Sequence, residues 1–172
     1  ELLAVAGWPA AEGSLPLANR TFAEDSVSVR RLKAAGAVAA VQTTSSEFGG
    51  TNQTTTKIHG ATRNPWNPDR TPGGSSGGSA AGVAGGIFTL ATASDGGGSI
   101  RIPAGFCGLF GLKSTFGRIP RGPGIILGNA TSVEGSVSRS VRDSARFLDV
   151  TNGFDLDDPK SLPRVEGFEE KL

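Results

Sequence analysis

This chain has one cysteine, one histidine, no methionine and no tyrosine in 172 residues. With Cys107 alone, no internal disulfide framework can form, and that usage points to a reducing, cytoplasmic setting. Charge of a dominant sign is also lacking. Seventeen basic residues face sixteen acidic ones, for a net of +1, and no basic stripe stands out. Nucleic-acid and membrane-surface partners are therefore not expected. No apolar run reaches the roughly 18 residues a bilayer-spanning helix needs. A methionine-free chain that opens on Glu1-Leu2-Leu3 reads as a piece of a longer protein, truncated at both ends. At this length the residues suit one domain, which buries about 70% of its unfolded surface without staples.

What the chain does have is glycine. There are 26, and half of them fall between Gly73 and Gly111. The excess is local, and it surrounds two serine clusters, Gly73-Gly74-Ser75-Ser76-Gly77-Gly78-Ser79 and Asp95-Gly96-Gly97-Gly98-Ser99.

The patterning around these clusters predicts an α/β arrangement. Asp25 is placed to cap a helix from Ser26 to Ala35, with Val29 and Leu32 inward and Gly36 as its stop. Ala37-Val38-Ala39-Ala40-Val41-Gln42 reads as a short buried strand. The proline-punctuated stretch from Arg63 to Pro68 is neither a helix interior nor a central strand. Ser79 to Gly86 reads as a helix of small residues, Ile87 to Thr92 as a central strand, and Leu109 to Lys113 as another strand. Ser140 and Asp143 have capping-box spacing for a helix with Val141, Ala145 and Leu148 inward, ended by Gly153. The acidic stretch Asp155 to Pro159 reads as a solvated linker.

The chemistry concentrates on Ser99. A serine behind three glycines carries a reachable hydroxyl, and its neighbouring N–H groups are unshielded by side chains. Those are the parts needed to attack a carbonyl and hold the resulting oxyanion. The earlier cluster offers a hydroxyl to carry the nucleophile's proton. A plain Gly/Ser linker is the competing reading of that cluster, but it leads straight into an apolar helix and strand. A phosphate loop of the Walker type would need a lysine that is not there. Gly74-Ser75-Ser76-Gly77-Gly78 formally matches the nucleophile elbow, yet no strand precedes it. His59 reads as a loop histidine. Lysine is the other usual base for an activated serine, and no spacing rule singles out Lys57 or Lys113. Asp95 and Arg101 flank the nucleophile and read as a charge pair bracing the glycine turn. Cys107 reads as a small buried residue.

The run from Thr71-Pro72-Gly73-Gly74-Ser75-Ser76-Gly77-Gly78-Ser79 through Asp95-Gly96-Gly97-Gly98-Ser99-Ile100-Arg101-Ile102-Pro103 to Gly111-Leu112-Lys113 resembles the amidase signature family. Weaker similarity covers Arg31 to Ala37, Glu47 to Gly50, Thr62 to Trp66 and Val141 to Asp143. The resemblance implies a mixed sheet flanked by helices, with residues 1–172 forming the N-terminal and central portion of the domain. It makes Ser99 the acylated nucleophile and Ser75 the bridging serine, held on a cis peptide, with Ser76, Asp95 and Arg101 in support. The backbone of Gly96, Gly97, Gly98 and Ser99 would form the oxyanion hole. The family's third catalytic member is a lysine followed by an acidic residue. Alignment on Val5-Ala6-Gly7-Trp8-Pro9 puts Glu1 at the acidic position and the lysine just before it, so the segment by itself would be inactive.

The implied activity is hydrolysis of a small-molecule carboxylic amide, with no cofactor and no metal, and with a homodimer left open. Two alternatives stand beside it. One is an amidotransferase component, resembling the A-type subunit of glutamyl-tRNA amidotransferases, which releases ammonia from glutamine. The absence of tyrosine and the sequence Arg121 to Leu127 argue against that alternative. The other is an inert relative. Two departures from the family pattern, Val41-Gln42-Thr43-Thr44-Ser45 for a Gly-Lys-Thr-Asn-Met-like stretch and Ser114 for a proline, bear on substrate contacts.

Overall fold

The structure is a computed structural model and describes residues 2–123 and 129–172. Glu1 and residues 124–128, which include part of the stretch weighed against an amidotransferase component, lie outside the described residues.

The first helix, α1 (Val27–Ala34), starts one residue later than its sequence suggests, with Ser26 as its N-cap. Asp25 does something else: its carboxylate accepts from the Ala6 N–H at 2.8 Å and from Lys33 at 2.7 Å. Val29 is buried, and Gly36 closes the helix at φ +88°. The expected strand over residues 37–42 does not form. Those residues run outside any ladder and are exposed from Ala37 to Val41, with Val38 86% and Val41 54% exposed.

A two-residue hairpin, β1 (Thr55–Thr56) with β2 (Gly60–Ala61), carries Lys57 and His59 in its turn. Helix α2 (Gly77–Ala84) follows the first serine cluster, β3 (Leu90–Asp95) leads to the second, and α3 (Arg101–Cys107) leaves it. Gly108 ends α3 in the left-handed region at φ +68°. β4 (Phe110–Lys113) and β5 (Val133–Ser138) complete an antiparallel sheet of order β3-β5-β4. The last helix, α4 (Val141–Thr151), has Ser140 as its N-cap, whose hydroxyl accepts from the Asp143 N–H at 3.1 Å. Ala145 and Leu148 point inward as expected. Val141 is half exposed, and Phe147, 2% exposed, takes the central place.

β5 is the element the sequence pattern does not announce. All six residues of Val133-Glu134-Gly135-Ser136-Val137-Ser138 are buried between β3 and β4. Its serine hydroxyls are satisfied inside: Ser136 and Ser138 both meet the Ser144 hydroxyl, at 2.9 and 2.8 Å. One apolar cluster (Val83, Ala93, Ile100, Ala104, Val137) lies against β3 and β5 beneath α2 and α3, and a second (Ile119, Phe147, Leu148) lies under α4.

The stretch from Asp155 to Pro159 is not a solvated linker. Asp158 is 7% exposed and accepts from the Arg121 N–H, while Asp155 pairs with Arg30 and Arg31. Arg31 also donates to the carbonyls of Thr151, Asn152, Gly153 and Phe154, closing the C-terminal end of α4. Among the described residues no helix is long and apolar enough to cross a membrane.

Candidate active site

β3 delivers the chain to a turn whose shape is fixed by Asp95. This side chain is completely buried. Its carboxylate accepts from the backbone N–H groups of Gly98 (2.9 Å), Ile100 (3.2 Å) and Arg101 (3.3 Å). The Arg101 guanidinium adds bonds from Nε (3.0 Å) and Nη2 (3.1 Å), and Lys113 Nζ adds one at 2.8 Å. Burial alone would raise the pKa of Asp95. The bonds from Arg101, Lys113, Gly98 and Ile100 outweigh it and hold the carboxyl far below the usual aspartate range. Gly98 sits at φ +124°, where a Cβ would approach Ile102 Cδ1 to 2.7 Å. The backbone conformation calls for glycine at the residue before Ser99, and the Ile102 side chain would have to shift for any larger residue.

Lys113 is therefore part of the brace. Its ammonium also donates to the carbonyls of Asp95 (2.7 Å) and Thr131 (2.6 Å), so three acceptors hold the cation in place. That engagement removes it from the candidate bases. His59 and Lys57 belong to the β1–β2 hairpin, and the His59 N–H donates to Thr56 Oγ1 at 3.0 Å.

The two serine clusters meet. The Ser76 N–H donates to the Ser99 carbonyl at 3.3 Å, and Ser76 Oγ lies 3.4 Å from both the carbonyl and the N–H of Ser94 in β3. Ser75, Ser76 and Ser99 are 1%, 8% and 8% exposed. The Gly74–Ser75 peptide is cis. Around it the backbone is pinned: the Ser75 carbonyl accepts from the Ser46 N–H (3.2 Å) and the Thr54 hydroxyl (3.2 Å), which also lies 2.9 Å from the Gly73 carbonyl. The Gly77 N–H in turn donates to Thr54 Oγ1. Gly49 faces the Ser75 hydroxyl: a Cβ on it would lie 3.5 Å from Ser75 Oγ.

The turn's N–H groups divide by direction. Gly98 gives its N–H to Asp95. Among the described residues no acceptor takes those of Gly96, Gly97 or Ser99. Of the residues singled out in the sequence, the structure gathers Ser75, Ser76, Asp95, Ser99 and Arg101 around this turn, and the bonds of Thr54 and Lys113 there are not foreseen. A lysine at the end of a strand two positions after Gly111 carries no spacing signal that would tie it to Asp95.

Comparison with known proteins bears on the family and the fold. The profile of the Amidase family matches residues 1–172. A glutamyl-tRNA(Gln) amidotransferase subunit of Thermus thermophilus is 42% identical over 170 residues, 99% of this chain and 36% of that protein. A bacterial aryl acylamidase of the amidase signature enzymes superposes with TM-score 0.91 at 37% identity, over 98% of this chain and 35% of that one. The 6-aminohexanoate cyclic dimer hydrolase superposes with TM-score 0.87 at 38% identity, over 96% and 35%. The chain spans about a third of the length of the curated relatives it matches. The mixed α/β fold expected from the sequence is the fold of these enzymes. The preference for a stand-alone amidase over an amidotransferase component finds no such support, because relatives of both kinds match equally well.

Proposed function

The chain belongs to the amidase signature family, and on that premise we propose that its parent protein cleaves carboxylic amides through an acyl-Ser99 intermediate. Ser99 Oγ attacks the amide carbon while its proton passes to Ser75 Oγ, and Ser75 passes its own proton to a neutral lysine immediately before Glu1. The uncommitted N–H groups of Gly96, Gly97 and Ser99 hold the oxyanion. Gly98 is the spacer that Asp95 grips. Collapse of the tetrahedral species breaks the C–N bond, and Ser75 protonates the departing amine. Water, deprotonated along the same path, then hydrolyses the Ser99 ester. The observation that carries this reading is the backbone bond from Ser76 to Ser99, which joins the two clusters beside a turn with free donors.

The test is covalent labelling of the full-length parent with a fluorophosphonate. Ser99 is expected to be the labelled residue, and Ser99→Ala to lose about four orders of magnitude or more in turnover. Unimpaired turnover of that variant would discard the nucleophile assignment. The 172-residue chain without the lysine is expected to stay unlabelled.

A second reading is supported by the 42% identity to an amidotransferase subunit. Here the acyl group on Ser99 comes from glutamine, and the released ammonia passes to a partner. Glutaminase activity that appears only with a co-purifying partner would favour it over the stand-alone amidase.

A further inference from the structure

Helix α2 starts without a cap of its own. Ser76 stands at the N-cap position, but its side chain accepts nothing from the helix, and its Oγ lies beside Ser94 in β3 instead. A helix start leaves N–H groups that its own turns cannot satisfy, and burying them unpaired is costly. At α2 the acceptors come from three other segments. The Ser76 N–H goes to the Ser99 carbonyl, the Gly77 N–H to Thr54 Oγ1 at 3.1 Å, and the Gly78 N–H to the Thr44 carbonyl at 3.1 Å. The first and last of these acceptors are backbone oxygens. Thr54, at the foot of the β1–β2 hairpin, contributes a side chain.

The Thr54 hydroxyl is buried, with the residue 1% exposed, and it is fully used. It accepts from Gly77, and it shares its single proton between the carbonyls of Gly73 (2.9 Å) and Ser75 (3.2 Å). Backbone groups on both sides of Ser75 are therefore tied to one oxygen atom. Packing keeps that atom in place. A Cβ on Gly77 would collide with Thr54 Oγ1, and a Cβ on Gly74 would lie 2.7 Å from the Gln53 nitrogen, so both glycines admit the chain around Thr54. The Thr54 carbonyl accepts in turn from the Thr62 N–H at 2.9 Å, which backs the contact with the hairpin. The position calls for a group that donates and accepts through one atom, and a hydroxyl does so. The β-branch of threonine restricts the direction in which it points.

We propose that Thr54 is a positioning residue for the reaction. Its hydroxyl gives the first turn of α2 the side-chain acceptor that Ser76 does not, and it ties the Gly73 and Ser75 carbonyls, so that Ser75 Oγ is held in place for proton transfer with Ser99. This role rests on the proposed function, because Thr54 acts through Ser75 and not on the substrate.

The experiment uses the full-length parent and reads the rate constant of fluorophosphonate labelling. Thr54→Val keeps the shape and removes the hydroxyl, and it is expected to label about 100-fold more slowly, the scale of a small misplacement of a reacting group. Thr54→Ser restores the hydroxyl and is expected to recover most of that loss. In a Ser75→Ala background, Thr54→Val should cost nothing further, because its effect passes through Ser75. A general loosening of the loop would slow labelling by the same factor in both backgrounds, and that result would overturn the proposal. So would Thr54→Val labelling at the wild-type rate, or Thr54→Ser labelling as slowly as Thr54→Val. Label on a residue other than Ser99 is a separate outcome, which discards the nucleophile assignment and the role of Thr54 with it. Should Thr54→Val fail to accumulate, hydrogen exchange of the Gly77 amide in the unsubstituted protein decides. Exchange at least ~100-fold slower than in unstructured peptide supports the Thr54 bond, and exchange at the unstructured rate overturns it.

Discussion

Glu134 is a carboxyl in the middle of a sheet, and replacing it by glutamine should change how stability responds to pH. The residue sits on β5 directly opposite Ser94. One oxygen accepts from the Ser28 hydroxyl at 2.6 Å. Burial pushes its pKa up to about 7, against the opposing pull of Ser28 and Arg121, with Asp158 adding to the rise. In the unfolded chain the same group has the ordinary glutamate value of about 4.3. Because the folded value is the higher one, the folded state holds the proton longer. The stability linked to this group is whole below the unfolded pKa and is lost as pH rises through the folded one. The gap between the two values corresponds to between about 3 and 4 kcal/mol, and most of it is lost between about pH 5 and pH 8. Glu134→Gln keeps the acceptor for Ser28 and removes the titration. Urea unfolding of wild type and variant at the two pH values would give a wild type that weakens by about 2–3 kcal/mol relative to the variant on going from pH 5 to pH 8. Taking the difference cancels groups common to both proteins, including Asp95, whose depressed pKa acts with the opposite sign in acid. Parallel pH dependences for the two proteins would refute the buried, proton-holding carboxyl.

Asp95→Asn should separate the brace from the nucleophile. It leaves the Arg101 and Lys113 cations without their anion, which should cost about 3 kcal/mol, the low end for a broken buried pair because Arg101 is half exposed. Fluorophosphonate labelling of Ser99 in the parent should fall with it, and unchanged labelling would detach the turn's shape from Asp95. In wild type, the depressed Asp95 pKa predicts stability that is present above about pH 4 and is lost as pH falls further. Ser140→Ala should remove the N-cap of α4 and lower the urea midpoint by an amount equivalent to about 1 kcal/mol, with the slope unchanged.

The parts of this molecule that are readable in its sequence are those where one residue type has one physical reason to be there. Ser140 and Asp143 lie at capping distance and do cap. Asp95 and Arg101 flank a turn that needs an anion facing several N–H groups; Asp95 supplies it and Arg101 pairs with it. Gly36 and Gly153, at φ +88° and +109°, mark real ends. β5 cannot be read this way. A glutamate, a glycine and two serines among two valines resemble a loop unless one knows that Ser28 and Ser144 wait inside to satisfy them. The tail misleads for the same reason in reverse. Its aspartates look solvated until Arg30, Arg31 and Arg121 are placed opposite them.

Residues 37–42 are a different kind of disagreement. The apolar run has the pattern of a buried strand and the structure leaves it exposed. Pattern reports the environment a segment is selected for, whereas the fold of these residues reports the environment this length of chain provides. The same distinction governs the site. Ser75, Ser99 and the free N–H groups are assembled and held by contacts within these residues, so a nucleophile and an oxyanion cradle can be argued from them. The base cannot, because Lys113, the lysine that reaches this turn, is already held by Asp95 and Thr131.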